Sequence, residues 1–134
     1  RVGMLAVHSG QGEHLLVVDD DPAVRQMLHT ALSRAGFLVT LAANGAEALF
    51  ISSSSLHNFD ALISDLEMPL LNGLALMDRL REQNPSLPTL LMTGTAAVVR
   101  DDCPLLRKPF SVEELLQAIS RILPTVTPIP GDGR

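Results

Sequence analysis

The chain has 134 residues, a length that suits one domain with a single sizeable core. Its 46% hydrophobic and 19% charged residues exclude an intrinsically disordered chain, and no apolar run approaches the ~20 residues of a transmembrane helix. Fifteen acidic and ten basic residues give a net charge of −5, which argues against a nucleic-acid surface built on general basicity. Nine of the ten basic residues are arginine, and the only lysine is Lys108.

The two ends of the chain are predicted to be tails or linkers. Residues 1–13 contain three glycines and show no period, while residues 124–134 are rich in proline and glycine. We therefore expect the folded domain to span residues 14–123. The single cysteine, Cys103, cannot form an internal disulfide, which fits a cytoplasmic protein, and we interpret it as a small packed residue.

Between these ends, short apolar runs alternate with segments of helical period. The run at 15–18 is typical of a strand buried on both faces. Asp21-Pro22 then marks a helix start, and Gly36 lies where that helix should stop. By the same criteria, strands are predicted at 15–18, 37–41, 61–63, 88–92 and 105–106, and helices after Asp21, after Asn44, around Leu74–Leu80 and after Ser111.

This alternation predicts an α/β fold with a doubly wound, five-stranded parallel sheet. The connection between the fourth and fifth predicted strands, Thr95 to Cys103, is short, although a parallel crossover usually takes a dozen or more residues. We therefore expect the fourth helix to be shortened or missing.

Polar residues follow the predicted strands at their carboxyl ends, where ligands bind in open α/β sheets. Asp19 and Asp20 follow the first strand, and Asp65 follows the third. Thr93 ends the fourth strand, and Lys108 follows the fifth. If the first and third strands are neighbours, about 4.8 Å apart, the three aspartates share one acidic pocket. The agreement of four strands predicts a binding site at this edge.

The acidic pocket predicts a divalent cation. Carboxylates this close repel one another unless a cation joins them, and oxygen ligands completed by water suit Mg²⁺ better than a soft metal. The four histidines are scattered, so no zinc spacing is present. Lys108 is within reach of Asp65 and can neutralise anionic oxygens as a point charge.

Together these segments resemble the receiver domain of bacterial two-component response regulators over roughly residues 14–123. The matching stretches are LLVVDDDP at 15–22, DALISDLEMP at 60–69, NG at 72–73, MTG at 92–94 and KPF at 108–110. In this order and spacing they are highly specific. The resemblance implies a flavodoxin-like sheet with strand order 2-1-3-4-5.

The resemblance also implies a reaction. Asp65 would accept a phosphoryl group from the phosphohistidine of a histidine kinase or a histidine phosphotransfer domain. Mg²⁺ would be bound by Asp20, by Asp65 and by the backbone carbonyl of Glu67, with Asp19 acting through water. Thr93 and Lys108 would contact the phosphoryl oxygens, and the Lys108–Pro109 peptide is expected to be cis. Such a chain signals by conformational change or onward transfer, is no enzyme in the usual sense, and contacts neither nucleic acid nor membrane directly.

Two alternatives remain open. A receiver-like module could dock partners without taking phosphate, although the intact acid, threonine and lysine set argues against this. A haloacid-dehalogenase-type phosphatase also uses an aspartyl phosphate, but its nucleophile follows the first strand and the chain lacks room for a cap.

Two departures limit what carries over from the family. Thr93 and Lys108 are 15 positions apart, fewer than in most receivers, and Leu105 lies where many members have a switching Tyr or Phe. Shortened receivers of this kind resemble those fused to hybrid sensor kinases, so we expect either the receiver end of such a kinase or a stand-alone shuttle. The Glu67 side chain is interpreted as a polar loop residue at the pocket mouth. With Thr95, it is predicted to tune the phosphoryl lifetime, so that Glu67→Asn changes the rate of autodephosphorylation.

Overall fold

The computed structural model of the protein describes residues 7–54, 58–95, 100–124 and 127–129. These ranges contain seven strands and four helices. In chain order they are β1 (Val7–Ser9), β2 (His14–Val18), α1 (Pro22–Arg34), β3 (Leu38–Ala42), α2 (Gly45–Ser52), β4 (Ala61–Asp65), α3 (Gly73–Arg81), β5 (Thr89–Thr93), β6 (Leu105–Arg107), α4 (Val112–Ile122) and β7 (Thr127–Ile129).

Five of the strands form one parallel sheet in the order β3-β2-β4-β5-β6. Counted within this sheet, the order is 2-1-3-4-5, which confirms the predicted fold. β2 and β4 are neighbours, with Val18 opposite Ser64. The carboxyl ends of these central strands therefore meet at one edge, as the acidic pocket requires.

Helices cover both faces of the sheet and bury two apolar layers. Leu28 of α1 and Leu115 of α4 pack on one face, and Ala48 of α2 and Leu76 of α3 pack on the other. Cys103 is buried in this second layer, as the sequence predicts. Because the central strands are covered on both sides, their apolar runs are continuous rather than alternating.

The helices begin at residues whose side chains satisfy free backbone N–H groups. Asp21 accepts from the Ala23 N–H, and Asn44 accepts from the Glu47 N–H. Ser111 and Glu114 form the predicted capping box at the start of α4. These short-range contacts confirm the predicted helix starts and fix where each loop at the carboxyl edge ends.

The segments predicted as tails each contribute a short strand. β1 and β7 pair antiparallel in a separate two-stranded sheet. The Gly10 N–H donates to the Ala35 carbonyl at 2.6 Å, which holds the N-terminal segment against the end of α1. Gly36 has φ of +101°, and a Cβ there would lie 2.5 Å from the Gly10 oxygen, so glycine is required at this crossing. Residues 1–6, 125–126 and 130–134 of the predicted tails lie outside the described ranges.

The short connection between β5 and β6 has no helix among its described residues; 96–99, part of the segment predicted to hold a shortened helix, lie outside them. Ion pairs fasten this connection to α3. Arg100 pairs with Asp78 and with Asp102, and Arg81 bonds both Asp102 and the Leu87 carbonyl. Mutual hydrogen bonding and charge raise the pKa of Arg100 and lower that of Asp102. This ion-pair cluster was not predicted from the sequence, and it ties the described residues 100–102 to α3.

Candidate functional site

The predicted site residues all lie at the carboxyl edge of the parallel sheet. Asp19 and Asp20 follow β2, Asp65 is the last residue of β4, Thr93 is the last residue of β5, and Lys108 follows β6. Four different strands therefore deliver these side chains to one place, because parallel strands end at the same edge.

Asp19, Asp20 and Asp65 form a compact acidic cluster. One carboxylate oxygen of each lies within 4.8 Å of the others. Asp19 has no exposure and Asp65 is 5% exposed, while Asp20 is open to solvent. Two carboxylates of the cluster are therefore buried, and the third is accessible to solvent.

Burial and crowding change the acidity of Asp65. Removal from solvent, followed by the negative charge of Asp19, raises the pKa of Asp65 to about 6, although Lys108 works in the opposite direction. A nearby positive charge stabilises the ionised form of a carboxylate whose pKa is raised in this way. The negative charge of the cluster therefore favours the binding of a cation.

Lys108 supplies the positive charge within the site. Its Nζ lies 3.1 Å from Asp19 Oδ2 and 3.5 Å from Asp65 Oδ1. Burial works to lower the pKa of Lys108, but the hydrogen bond and charge of Asp19, aided by Asp65, outweigh it and the pKa is raised. The lysine is therefore a fixed ammonium beside the Asp65 carboxylate. The Lys108–Pro109 peptide bond is cis, as expected.

Backbone contacts hold the strand ends in register around Asp65. The Leu66 N–H donates to the Met92 carbonyl at 2.7 Å, and the Lys108 N–H donates to the Thr93 carbonyl at 2.7 Å. At Gly73, where α3 begins, a Cβ would lie 2.5 Å from the Asp65 carbonyl oxygen. Glycine is needed there because the helix start touches the backbone that carries the central carboxylate.

Thr93 and Glu67 form a contact that the sequence analysis missed. Thr93 is 2% exposed, and its hydroxyl donates to Glu67 Oε2 at 2.6 Å. Glu67 is an exposed loop residue, as interpreted from the sequence, but its carboxylate also binds the end of β5. Thr93 ends β5, next to β4, and Glu67 lies two residues beyond the end of β4. The sequence signal for this contact was that an acidic residue follows one strand closely and a hydroxyl ends the strand beside it.

The donors at this edge suit a hard cation. The clustered oxygens belong to carboxylates, and Mg²⁺ takes one or two carboxylates and keeps several waters. Asp20 is exposed while Asp19 and Asp65 are buried, so water can reach the cluster from the side of Asp20. The residues present therefore fit Mg²⁺ in ligand type and in charge.

Comparison with known proteins identifies the family. The sequence model described as "Response regulator receiver domain" matches residues 15–120 of this chain. The chain belongs to this family. It is thus a receiver domain of two-component systems, whose signalling is based on phosphorylation, and receiver domains interact with histidine kinases. The two alternatives considered from the sequence are not favoured.

Curated and solved relatives agree with this assignment. The response regulator MprA of Mycolicibacterium vanbaalenii is 40% identical over 126 residues, which cover 89% of this chain and 54% of MprA. This chain therefore spans about half the length of that relative. The chemotaxis protein CheY4 of Vibrio cholerae is 32% identical with a TM-score of 0.77, over 84% of this chain and 99% of that one. The response regulator TrrA of Thermotoga maritima, solved in complex with Mg(2+)-BeF, is 30% identical with a TM-score of 0.72, over 83% and 99% of the two chains.

Proposed function

We propose that this receiver domain accepts a phosphoryl group on the carboxylate of Asp65. The observation that carries the proposal is the position of Asp65, buried between two further aspartates and the Lys108 ammonium. A carboxylate oxygen of Asp65 would attack phosphorus while the bond from phosphorus to the donor's imidazole nitrogen breaks. The imidazole is the leaving group, so no other co-reactant is needed.

Asp20, Asp65 and the Glu67 backbone carbonyl would hold Mg²⁺ directly, and Asp19 would act through water. When bound, the ion supplies positive charge that offsets the repulsion between phosphoryl oxygens and the acidic cluster. Asp19 keeps a further role through Lys108, because its Oδ2 accepts from Nζ at 3.1 Å and holds the ammonium in the site. The charge balance of the site thus depends on this pair as well as on the ion.

Lys108 and Thr93 would contact the phosphoryl oxygens. The ammonium already lies 3.5 Å from Asp65 Oδ1, so a short movement brings it to a group bound there. The Thr93 hydroxyl is at the end of the neighbouring strand β5. Phosphoryl transfer depends mainly on positioning and charge stabilisation, and both side chains act in that way. The domain acts on itself rather than on a separate substrate, and it would signal by conformational change or onward transfer.

The donor in this proposal is a histidine kinase or a histidine phosphotransfer domain, and the site is cytoplasmic. The working unit spans residues 14–123 with linkers on either side, and the family match over 15–120 supports it. The short β5–β6 connection supports attachment to a hybrid sensor kinase. No direct contact with nucleic acid or membrane is part of the proposal. Among the described residues, no helix has the length and apolar character to cross a membrane.

The test uses acetyl phosphate and Mg²⁺ as the donor system. We expect mass spectrometry to find one added phosphoryl group, removed by hydroxylamine, in the wild-type protein and none in Asp65→Asn. Asp60→Asn is the matched control, because Asp60 precedes β4 at the opposite end of the strand. Equal labelling of Asp65→Asn and the wild-type protein would exclude Asp65 as the acceptor. A partner affinity that is the same with and without the phosphoryl group would favour the docking-module alternative.

A further inference from the structure

The carboxylate of Glu67 collects three donors from the segment Thr93–Thr95 at the end of β5. Its Oε2 accepts from the Thr93 hydroxyl at 2.6 Å and from the Thr95 hydroxyl at 3.1 Å. Its Oε1 accepts from the Gly94 backbone N–H at 3.2 Å. One anion therefore occupies consecutive donors beside the proposed phosphorylation site.

The hydrogen-bonding capacity of Thr93 is committed by this arrangement. A hydroxyl has one hydrogen to donate. The Thr93 hydroxyl donates it to Glu67, and its oxygen accepts from the Thr95 N–H at 3.1 Å. Thr93 can therefore contact a phosphoryl oxygen as a donor only after it releases Glu67.

We propose that Glu67 is a positioning residue that holds the segment Thr93–Thr95 in a resting arrangement and competes with the phosphoryl group for its donors. The inference rests on the proposed function of Asp65. Phosphorylation would add negative charge two residues from the Glu67 carboxylate, and like charges at short range repel. The Thr93 hydrogen bond would pass to the phosphoryl group, and the Glu67 side chain would turn to solvent.

The surroundings allow this exchange. Glu67 and Gly94 are exposed, so the carboxylate can leave without losing apolar packing. A Cβ at Gly94 would meet no atom of the described residues within 4 Å, so the backbone there is not crowded by them. The contact between Glu67 and the segment Thr93–Thr95 thus lowers the apparent affinity for a phosphoryl group at Asp65, because the contact must break before Thr93 can donate to that group.

The test measures how tightly the protein binds beryllofluoride, a mimic of a phosphoryl group, in the presence of Mg²⁺. Isothermal titration would compare the wild-type protein with Glu67→Ala and Glu67→Gln. We expect Glu67→Ala to bind at least about tenfold more tightly, the lower end of the range for one hydrogen bond to a charged group, with Glu67→Gln in between. Asp21→Asn is the control, since it removes one acidic charge at the same edge while asparagine can still cap α1.

A second readout separates release of the contact from a general loss of charge. Without metal or beryllofluoride, the amide NMR signals of Gly94 and Thr95 in Glu67→Ala should move toward their positions in the liganded wild-type protein. In a Thr93→Ala background, the gain from Glu67→Ala should disappear, because the competed donor is gone.

The outcomes distinguish this inference from the proposed function. If the wild-type protein does not bind beryllofluoride, or if Asp65→Asn binds it equally well, the proposed function is wrong and the inference fails with it. If binding requires Asp65 but Glu67→Ala binds beryllofluoride no more tightly than the wild-type protein, only the inference is overturned. The same holds if Asp21→Asn gains as much affinity as Glu67→Ala.

Discussion

The Lys108 ammonium donates to Asp19, whose Oδ2 lies 3.1 Å from Nζ and whose side chain has no solvent exposure. The two residues are 89 positions apart, and their strands, β6 and β2, are separated in the sheet by β4 and β5. The side chain of Lys108 therefore reaches back across the carboxyl edge, over the end of the strand that carries Asp65. The only lysine of the chain joins both sides of the site.

Replacement of this lysine tests whether a compact charge is needed. We expect Lys108→Arg to impair the response to phosphorylation more than any other Lys/Arg exchange in the chain, because the wider planar guanidinium does not reproduce the compact ammonium between Asp19 and Asp65. The measurement is the change in backbone amide NMR signals on addition of Mg²⁺ and beryllofluoride. Arg107→Lys, at the neighbouring exposed position, should respond as the wild-type protein does. A full response from Lys108→Arg would contradict the prediction.

The buried carboxylate of Asp65 should lower the free energy of unfolding at neutral pH. Its pKa is raised to about 6 in the folded protein from an ordinary value of 3.8. Between these values the folded state retains a proton that the unfolded state has lost, so this group's contribution to stability falls as pH rises. Without divalent cations, we expect Asp65→Asn to be more stable than the wild-type protein by about 1–3 kcal/mol at pH 7.5.

The sign of the Asp65 effect can be checked by denaturant unfolding in EDTA across the pH range. The advantage of Asp65→Asn should shrink as pH falls below about 6 and vanish only below pH 3.8, where both states of the wild-type protein hold the proton. Asp60→Asn, at the other end of β4, serves as the control. A stability difference between Asp65→Asn and the wild-type protein that does not depend on pH would contradict the prediction.

Magnesium should stabilise the folded protein, because the acidic cluster exists only when the strands are assembled. At a Mg²⁺ concentration a hundredfold above Kd, the expected gain in free energy of unfolding is about 2.7 kcal/mol. Protons compete for Asp65, so the gain should shrink as pH falls below about 6. Thermal unfolding with Mg²⁺ and with EDTA measures it. An Asp20→Asn variant that gains as much as the wild-type protein would contradict the proposed ligand set.

The close approach of α3 to Asp65 makes Gly73 sensitive to substitution. In Gly73→Ala, the new methyl group would lie 2.5 Å from the Asp65 carbonyl oxygen, so the backbone must shift. We expect a loss of about 1–3 kcal/mol in the free energy of unfolding, together with weaker Mg²⁺ binding. Gly94→Ala is the matched control for unfolding, because a Cβ there meets no atom of the part of the chain that the structure describes within 4 Å. Equal stability of the two variants would contradict this account.

Local rules were sufficient for much of the fold. The helix starts at Asp21 and Ser111 depend on contacts within three residues, and the strands follow from continuous apolar runs. Because parallel strands end at one edge, the residues that follow them could be placed together before their partners were known. The acidic cluster and Lys108 were predictable for this reason.

What the sequence by itself determined is therefore the alternation of elements, the parallel sheet and the set of side chains at its carboxyl edge. Only the tertiary structure decided how those side chains pair. Glu67 and Thr93 are 26 positions apart, and Arg100 meets Asp78 across 22. The pairing of β1 with β7 likewise joins two segments that are more than a hundred positions apart. Such contacts depend on strand order, loop path and side-chain rotamer, and no local pattern of the chain encodes them.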